Sequence, residues 1–187
     1  MIHSLRFTCV LDTNVIYPLN TRDLLLWFAY YKLYTPKWSQ HIWDEWKEIL
    51  ARKGLDDATI ESRTMRPADA FPDAMVINYD SLIDGLELPD TKDRHVLAAA
   101  IKANANLIVT NNLKDFPRDY LSQFGLRAKS ADDFLADTID LNQQTAVEAF
   151  RRLALNRRSP AMDEYDVLKA LHNNGLDNTA AYLHALI

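Results

Sequence analysis

The stretch Arg6-Phe7-Thr8-Cys9-Val10-Leu11-Asp12-Thr13-Asn14-Val15 decides the fold. Its apolar run is short, carries β-branched Thr8 and Val10, and stops at a carboxylate. That is the pattern of a buried parallel strand with Asp12 at its C-terminal end. Open α/β sheets place their chemistry at that edge. One carboxylate alone does little, so further acids must reach the same edge if Asp12 is to be more than a turn residue.

Outward from this strand, Leu24, Leu25, Trp27, Phe28 and Tyr31 predict a helix over 22–32, capped by Asn20 or Thr21. Residues 33–39 read as a second strand that Pro36 stops, and Ser39 caps a helix over 40–52. In that helix Ile42, Trp43, Trp46, Ile49 and Leu50 share one face. At about 100° per residue, Asp44 and Glu48 point away from this face while Glu45 sits on its flank, best placed to reach a cleft beside the sheet. Ordinary solvated charge is the competing explanation for all three.

A helix from Asp56 or Asp57 is expected to break at Arg66-Pro67, and 74–79 read as a third strand. The segment Leu88-Pro89-Asp90-Thr91-Lys92-Asp93-Arg94-His95-Val96-Leu97-Ala98-Ala99-Ala100-Ile101 predicts one buried, alanine-rich helix with two aspartates at its mouth. Asp90 as N-cap and Asp93 in the first turn would suit the free amides and the helix dipole. Capping explains one acid well and leaves the other wanting a partner. Leu107, Ile108 and Val109 then form a buried strand, followed by Thr110, Asn112 and Asp115. Phe116 pins the loop, Pro117 opens a short helix, and a fifth strand over 126–129 precedes a helix from Ala131. This alternation predicts an α/β fold with a parallel sheet, so Asp12 and Asp115 both follow strands at one edge.

Composition narrows the function. The 187 residues, 48% of them hydrophobic, suffice for a real core. A formal charge of -5 provides no basic field spread along the chain. None of the 4 glycines forms a phosphate-cradling loop, which excludes dinucleotide-binding and P-loop nucleotide chemistry. The lone Cys9 excludes a disulfide framework and a cysteine-based zinc site. With no leader pattern in the first residues and no apolar run near about 18 residues, a cytoplasmic protein is expected, without a membrane span.

Clustered carboxylates repel, and they stay ionised together only when cations compensate them. Hard divalent ions with oxygen ligands do this, and such a site suits attack of water on a phosphodiester. His95 stands near the acids, where a structural role is the ordinary expectation for a lone histidine.

Four segments in order resemble the PIN domain, in particular the VapC-like toxins of type II toxin–antitoxin pairs. They are Leu11-Asp12-Thr13-Asn14, Pro36-Lys37-Trp38-Ser39 through Asp44-Glu45-Trp46, Pro89-Asp90 through Asp93-Arg94-His95-Val96-Leu97-Ala98-Ala99-Ala100, and Val109-Thr110-Asn111-Asn112-Leu113-Lys114-Asp115-Phe116-Pro117. The resemblance implies a three-layer PIN-like α/β fold with a central, mostly parallel five-stranded sheet over 1–135 and a small helical extension over 136–187. It implies an endoribonuclease dependent on Mg2+ or Mn2+, leaving a 3′-hydroxyl and a 5′-phosphate, with Asp12, Glu45, Asp93 and Asp115 as the catalytic acids. Asp12, Asp93 and Asp115 would hold the metal, with Asp90 either a further ligand or only a cap. Many PIN domains carry aspartate where Asn112 stands, so Asp115 is taken as the last acid. Thr13, Asn14, Thr110 and Asn112 would orient the acids by hydrogen bonds, while Lys37, Lys92, Arg94 and Lys114 are candidates for gripping RNA phosphates.

Implied partners are an RNA substrate, a cognate antitoxin and a second copy of the chain, for which Trp27, Tyr30 and Tyr31 offer a candidate face. Beyond 135, helices over 141–155, 162–172 and 177–186 resemble the extension of one branch of these toxins. Arg151, Arg152, Arg157 and Arg158 concentrate positive charge there, open to RNA, to an acidic antitoxin or merely to solvent. Two alternatives are a PIN-like module that binds RNA or protein without cutting, and a haloacid dehalogenase-type phosphatase. The latter needs an acid where Asn14 stands.

Overall fold

The computed structural model describes residues 7–158 and 160–187; Arg6 and Ser159, which fall in two of the segments read above, lie outside the described residues. The strands are β1 (Thr8–Leu11), β2 (Thr35–Ser39), β3 (Met75–Val76), β4 (Leu107–Val109) and β5 (Arg127–Lys129). They form one sheet in the order β3-β2-β1-β4-β5, every neighbouring pair parallel. β1 is central, and Cys9, Val10 and Leu11 are fully buried, as an apolar run ending in a carboxylate requires. The first two crossovers step one way along the sheet and the last two step back. Right-handed connections therefore put helices on both faces, giving three layers.

Between β1 and β2 lie α1 (Thr13–Ile16) and α2 (Leu19–Tyr30), and α2 begins three residues earlier than its apolar pattern predicts. Neither Asn20 nor Thr21 caps it. Pro18 occupies the cap position, with φ at -68° and no side-chain bond. Pro36 does not stop β2 but lies inside it, opposite Cys9. The Thr35 amide donates to the Phe7 carbonyl at 2.9 Å, so Pro36 faces the other side, where β3 reaches only Trp38 and Ser39 and no donor is needed.

Ser39 caps α3 (Gln40–Arg52) by accepting from the Ile42 amide at 3.3 Å. α4 (Asp57–Ala70) runs through Pro67 rather than breaking there. Pro67 is buried, and its apolar burial offsets the one helical hydrogen bond it removes. β3 is two residues long instead of six because Asn78 turns the chain with φ at 59°. A short helix, α5 (Asp80–Ile83), follows.

The stretch read as one helix is two elements, a 3-10 turn over Thr91–Asp93 and then α6 (Arg94–Lys102). Val96 to Ala100 of α6 are fully buried, the alanines allowing close approach to the sheet. After β4 come a 3-10 turn over Leu113–Asp115 and α7 (Arg118–Ser122), whose cap position is Pro117. Phe116 is buried, as a residue pinning that loop to the core should be.

The C-terminal part is all helical: α8 (Ala131–Leu141), α9 (Gln143–Asn156), α10 (Glu164–Asn173) and α11 (Asp177–Leu186). Tyr34 meets Phe134 of α8 edge to face at 4.9 Å, which docks these helices on the sheet domain. The residue before α11, Leu176, has no capping side chain, and Asp132 of α8 substitutes for it. Its carboxylate accepts from the Asn178 amide at 3.0 Å, the Thr179 amide at 2.8 Å and the Thr179 hydroxyl at 2.7 Å. Asp132→Ala is expected to cost about 2 kcal/mol, read as a lower urea midpoint. An unchanged midpoint would mean that this contact is not stabilising. Among the described residues no helix is long and apolar enough to cross a membrane.

Candidate metal centre

Asp12 leaves β1 in extended conformation and caps α1. Its Oδ1 accepts from the Thr13 amide at 2.6 Å, and its Oδ2 accepts from the Asn14 side-chain amide at 2.5 Å and the Thr110 hydroxyl at 2.7 Å. Asn14 also donates to the Thr110 hydroxyl at 2.9 Å and accepts from the Asn111 amide at 2.9 Å. These bonds lace the ends of β1 and β4 together. Asp12 is only 4% exposed, and burial pushes its carboxyl above the ordinary range. The bonds from Thr110 and Thr13 oppose that rise, and the charge of Glu45 adds to it.

Glu45 arrives from the flank of α3 and is held at both oxygens. The Thr13 hydroxyl donates to Oε2, while Oε1 meets His95 Nε2 at 3.0 Å. Burial works to raise its pKa, but the bonds from His95 and Thr13 and the nearby histidine charge outweigh it, leaving Glu45 below the usual carboxylate range.

The remaining acids come from the two 3-10 turns. Asp90 accepts from the Lys92 amide at 2.9 Å, so it caps the first turn, and Asp93 stands at the start of α6. Asp115 closes the second turn. Carboxylate oxygens of Asp90, Asp93 and Asp115 lie within 4.8 Å of one another. The Asn112 side-chain amide bridges this group, donating to Asp93 at 3.3 Å and to Asp115 at 2.5 Å. Burial, then repulsion from Asp12, Asp90 and Asp115, pushes Asp93 up to about 6.

Neither Asp12 nor Glu45 is in that tightest group. Asp12 acts on Asp93 through its charge and on Glu45 through Thr13. Asp90 caps its turn and also lies in the acidic cluster, so the cap position does not take it away from a ligand role. The donors are hard oxygens, with no histidine or cysteine among the three, and a cation would relieve their mutual repulsion. This set fits Mg2+ or Mn2+ better than a soft metal.

Sequence comparison agrees with this architecture: the pattern of the PIN domain family matches residues 8–114, more than half of the chain. The chain belongs to the PIN domain family. A second pattern, the VapC50 C-terminal domain, matches residues 131–185, which begins with α8 and reaches into α11. A relative from Mycobacterium tuberculosis (strain ATCC 25618 / H37Rv), named "Putative ribonuclease VapC50", is 37% identical over 98 residues. That alignment covers 52% of this chain and 57% of the relative, so this chain spans little more than half of the relative's length. No solved structure matches the sequence.

Around the PIN acids, the basic residues are unequally placed. Lys37 donates to the Asp73 carbonyl at 2.6 Å, toward the turn before β3. Lys92 and Lys114 are exposed in the same turns as the acids, and Arg94 is half-buried with its Nε lacking a hydrogen-bond partner among the described residues. Of the four arginines in the C-terminal helices, Arg157 turns inward to Asp23 at 3.0 Å and Asn20 at 3.1 Å, and Arg151 pairs with Glu164 at 3.3 Å. Trp27 and Tyr31 are half-buried against the core, leaving Tyr30 as the exposed ring of that trio.

Two residues at the site escaped the sequence reading altogether. The His41 ring stacks on His95 at 5.2 Å, and its Nδ1 meets the Tyr79 hydroxyl. Nothing in the spacing of 41, 79 and 95 signals that these side chains meet.

Proposed function

We propose that this PIN-domain chain is a metal-dependent endoribonuclease and the toxin of a toxin–antitoxin pair. The carrying observation is the convergence of Asp90, Asp93 and Asp115 in one group beside Asp12 and Glu45. Asp12, Asp93 and Asp115, with Asp90, would hold Mg2+ or Mn2+, which when bound supplies charge neutralisation for the phosphate and lowers the pKa of a water.

The chain's own residues do the rest. Glu45, ionised and anchored at both oxygens, accepts a proton from the attacking water as the new P–O bond forms. The bond from phosphorus to the 3′ oxygen breaks, and that oxygen takes a proton from solvent, leaving a 3′-hydroxyl and a 5′-phosphate. Thr13, Asn14, Thr110 and Asn112 hold the acids in place. Lys92, Arg94 and Lys114 stand close enough in the chain to the acids to meet RNA phosphates, whereas Lys37 reaches them only by leaving Asp73. The likeness to the relative named "Putative ribonuclease VapC50" supports the nuclease part of this reading; a cognate antitoxin, a second copy of the chain and a cytoplasmic setting belong to the same proposal.

The test is cleavage of a random-sequence RNA pool by the purified chain, with Mn2+ or with chelator, alongside Asp12→Asn. Cleavage that needs Mn2+, yields 5′-phosphates and falls more than about 100-fold in the variant is expected. Equal cleavage by the variant would indicate a contaminating nuclease, and RNA bound but left intact would make the chain a binding module.

A further inference from the structure

The geometry points to His95, stacked on a His41 that Tyr79 holds, as the positioning residue that fixes Glu45 beside the acids, an inference that rests on the ribonuclease reading above. Glu45 has reason to leave. Its side chain is 41% exposed, and Asp12 repels it. A long, flexible carboxylate in that setting turns toward solvent unless it is tethered. Its two oxygens are tethered from different helices, by the Thr13 hydroxyl of α1 and by His95 Nε2 of α6.

His95 is 7% exposed, yet among the described residues only one of its nitrogens finds a partner. Nε2 meets Glu45, and Nδ1 is buried with no hydrogen-bond partner among the described residues. Most buried polar side-chain atoms find a partner, so a histidine buried for its hydrogen bonds would be expected to engage both nitrogens. Among the described residues the ring's one polar contact is with Glu45, and its face is set by another ring, since His41 stacks on it with planes 25° apart. Tyr79 fixes His41 in turn, through the ring nitrogen and through the main-chain amide at 3.4 Å. Tyr79 is itself buried, directly after the left-handed Asn78. A continuous train of side chains thus runs from the loop after β3, across the first turns of α3 and α6, to Glu45.

The test uses the full chain, the RNA pool and Mn2+. His95→Leu removes the donor, while His95→Gln keeps an amide near the position of Nε2. His95→Leu should lower kcat about 30-fold, with KM and the Mn2+ half-saturation within about threefold of wild type, and His95→Gln should recover most of the loss. In a Glu45→Gln background, His95→Leu should slow cleavage no further. Equal slowing in both backgrounds, or a glutamine as poor as the leucine, would overturn the proposal. Crystal structures of the two His95 variants give a readout independent of activity. Glu45 should leave Thr13 in the leucine variant and stay in the glutamine variant; an unmoved Glu45 in both overturns the proposal. A wild-type chain without metal-dependent cleavage would instead sink the ribonuclease reading, and the two structures would still decide the role of His95.

Discussion

Replacing Asp93 with asparagine should abolish metal-dependent RNA cleavage and, at the same time, make the metal-free protein more stable. Asp93 is pushed up to about 6 by burial and by the charges of Asp12, Asp90 and Asp115. In the ordinary range a carboxyl titrates near about 3.9 in the unfolded chain. Between those two values the folded state binds more protons than the unfolded one, so stability falls as pH rises. The penalty is absent below the unfolded pKa, grows through the interval and is complete above the folded pKa. Because Asp93 is half-exposed, solvent screening reduces it to about 1 kcal/mol at neutral pH.

Asp93→Asn removes that penalty, so in chelator its urea midpoint at neutral pH should exceed that of wild type. The gap should close as pH falls toward about 4. Added Mn2+ should stabilise the wild type and not the variant. Cleavage should fall by more than about 100-fold, the loss typical of removing a mere outer partner of a metal ligand. A variant less stable than wild type in chelator would show that like-charge repulsion does not govern this cluster.

Asp12 should behave oppositely in stability. Asp12→Ala removes the cap of α1 and leaves the Thr110 hydroxyl and one N–H of the Asn14 amide without their acceptor. A lost cap costs about 1 kcal/mol and each stranded donor about as much again, partly offset by the removal of a buried carboxyl. The net expectation is a loss of about 2 kcal/mol, or roughly 6 °C in Tm for a chain of this size. Asp12→Asn keeps an acceptor oxygen and should lose less stability while losing cleavage just as fully. Calorimetry on the two variants separates the roles, and equal Tm values would mean that the Asp12 carboxylate does not hold the ends of β1 and β4 together.

Much of this site could be read in the residues because local rules decide it. A buried strand ending in Asp12, the flank position of Glu45 and the Asp115 loop after β4 follow from periodicity and strand length. What escaped was decided by tertiary context. Pro36 sits inside β2 because β3 is too short to need its donor, a fact that no local signal contains. Pro67 stays within α4 because it is buried. The mouth of α6 reads locally as a plain helix start, whereas the 3-10 turn there places Asp93 where Asn112 of the loop after β4 bonds it, a meeting that lies 19 residues apart in the chain. His41 meets His95, and Tyr79 meets His41, only after the sheet has ordered its crossovers. Arg157 resembled a solvent-facing charge until Asp23 of a distant helix was placed opposite it.

The claim that these acids hold a divalent cation is tested most directly by calorimetric titration of the chain with Mn2+. Wild type should bind with a Kd below about 1 mM, and Asp93→Asn should weaken binding by at least about tenfold. No binding to wild type in that range, or equal binding to both proteins, would contradict it.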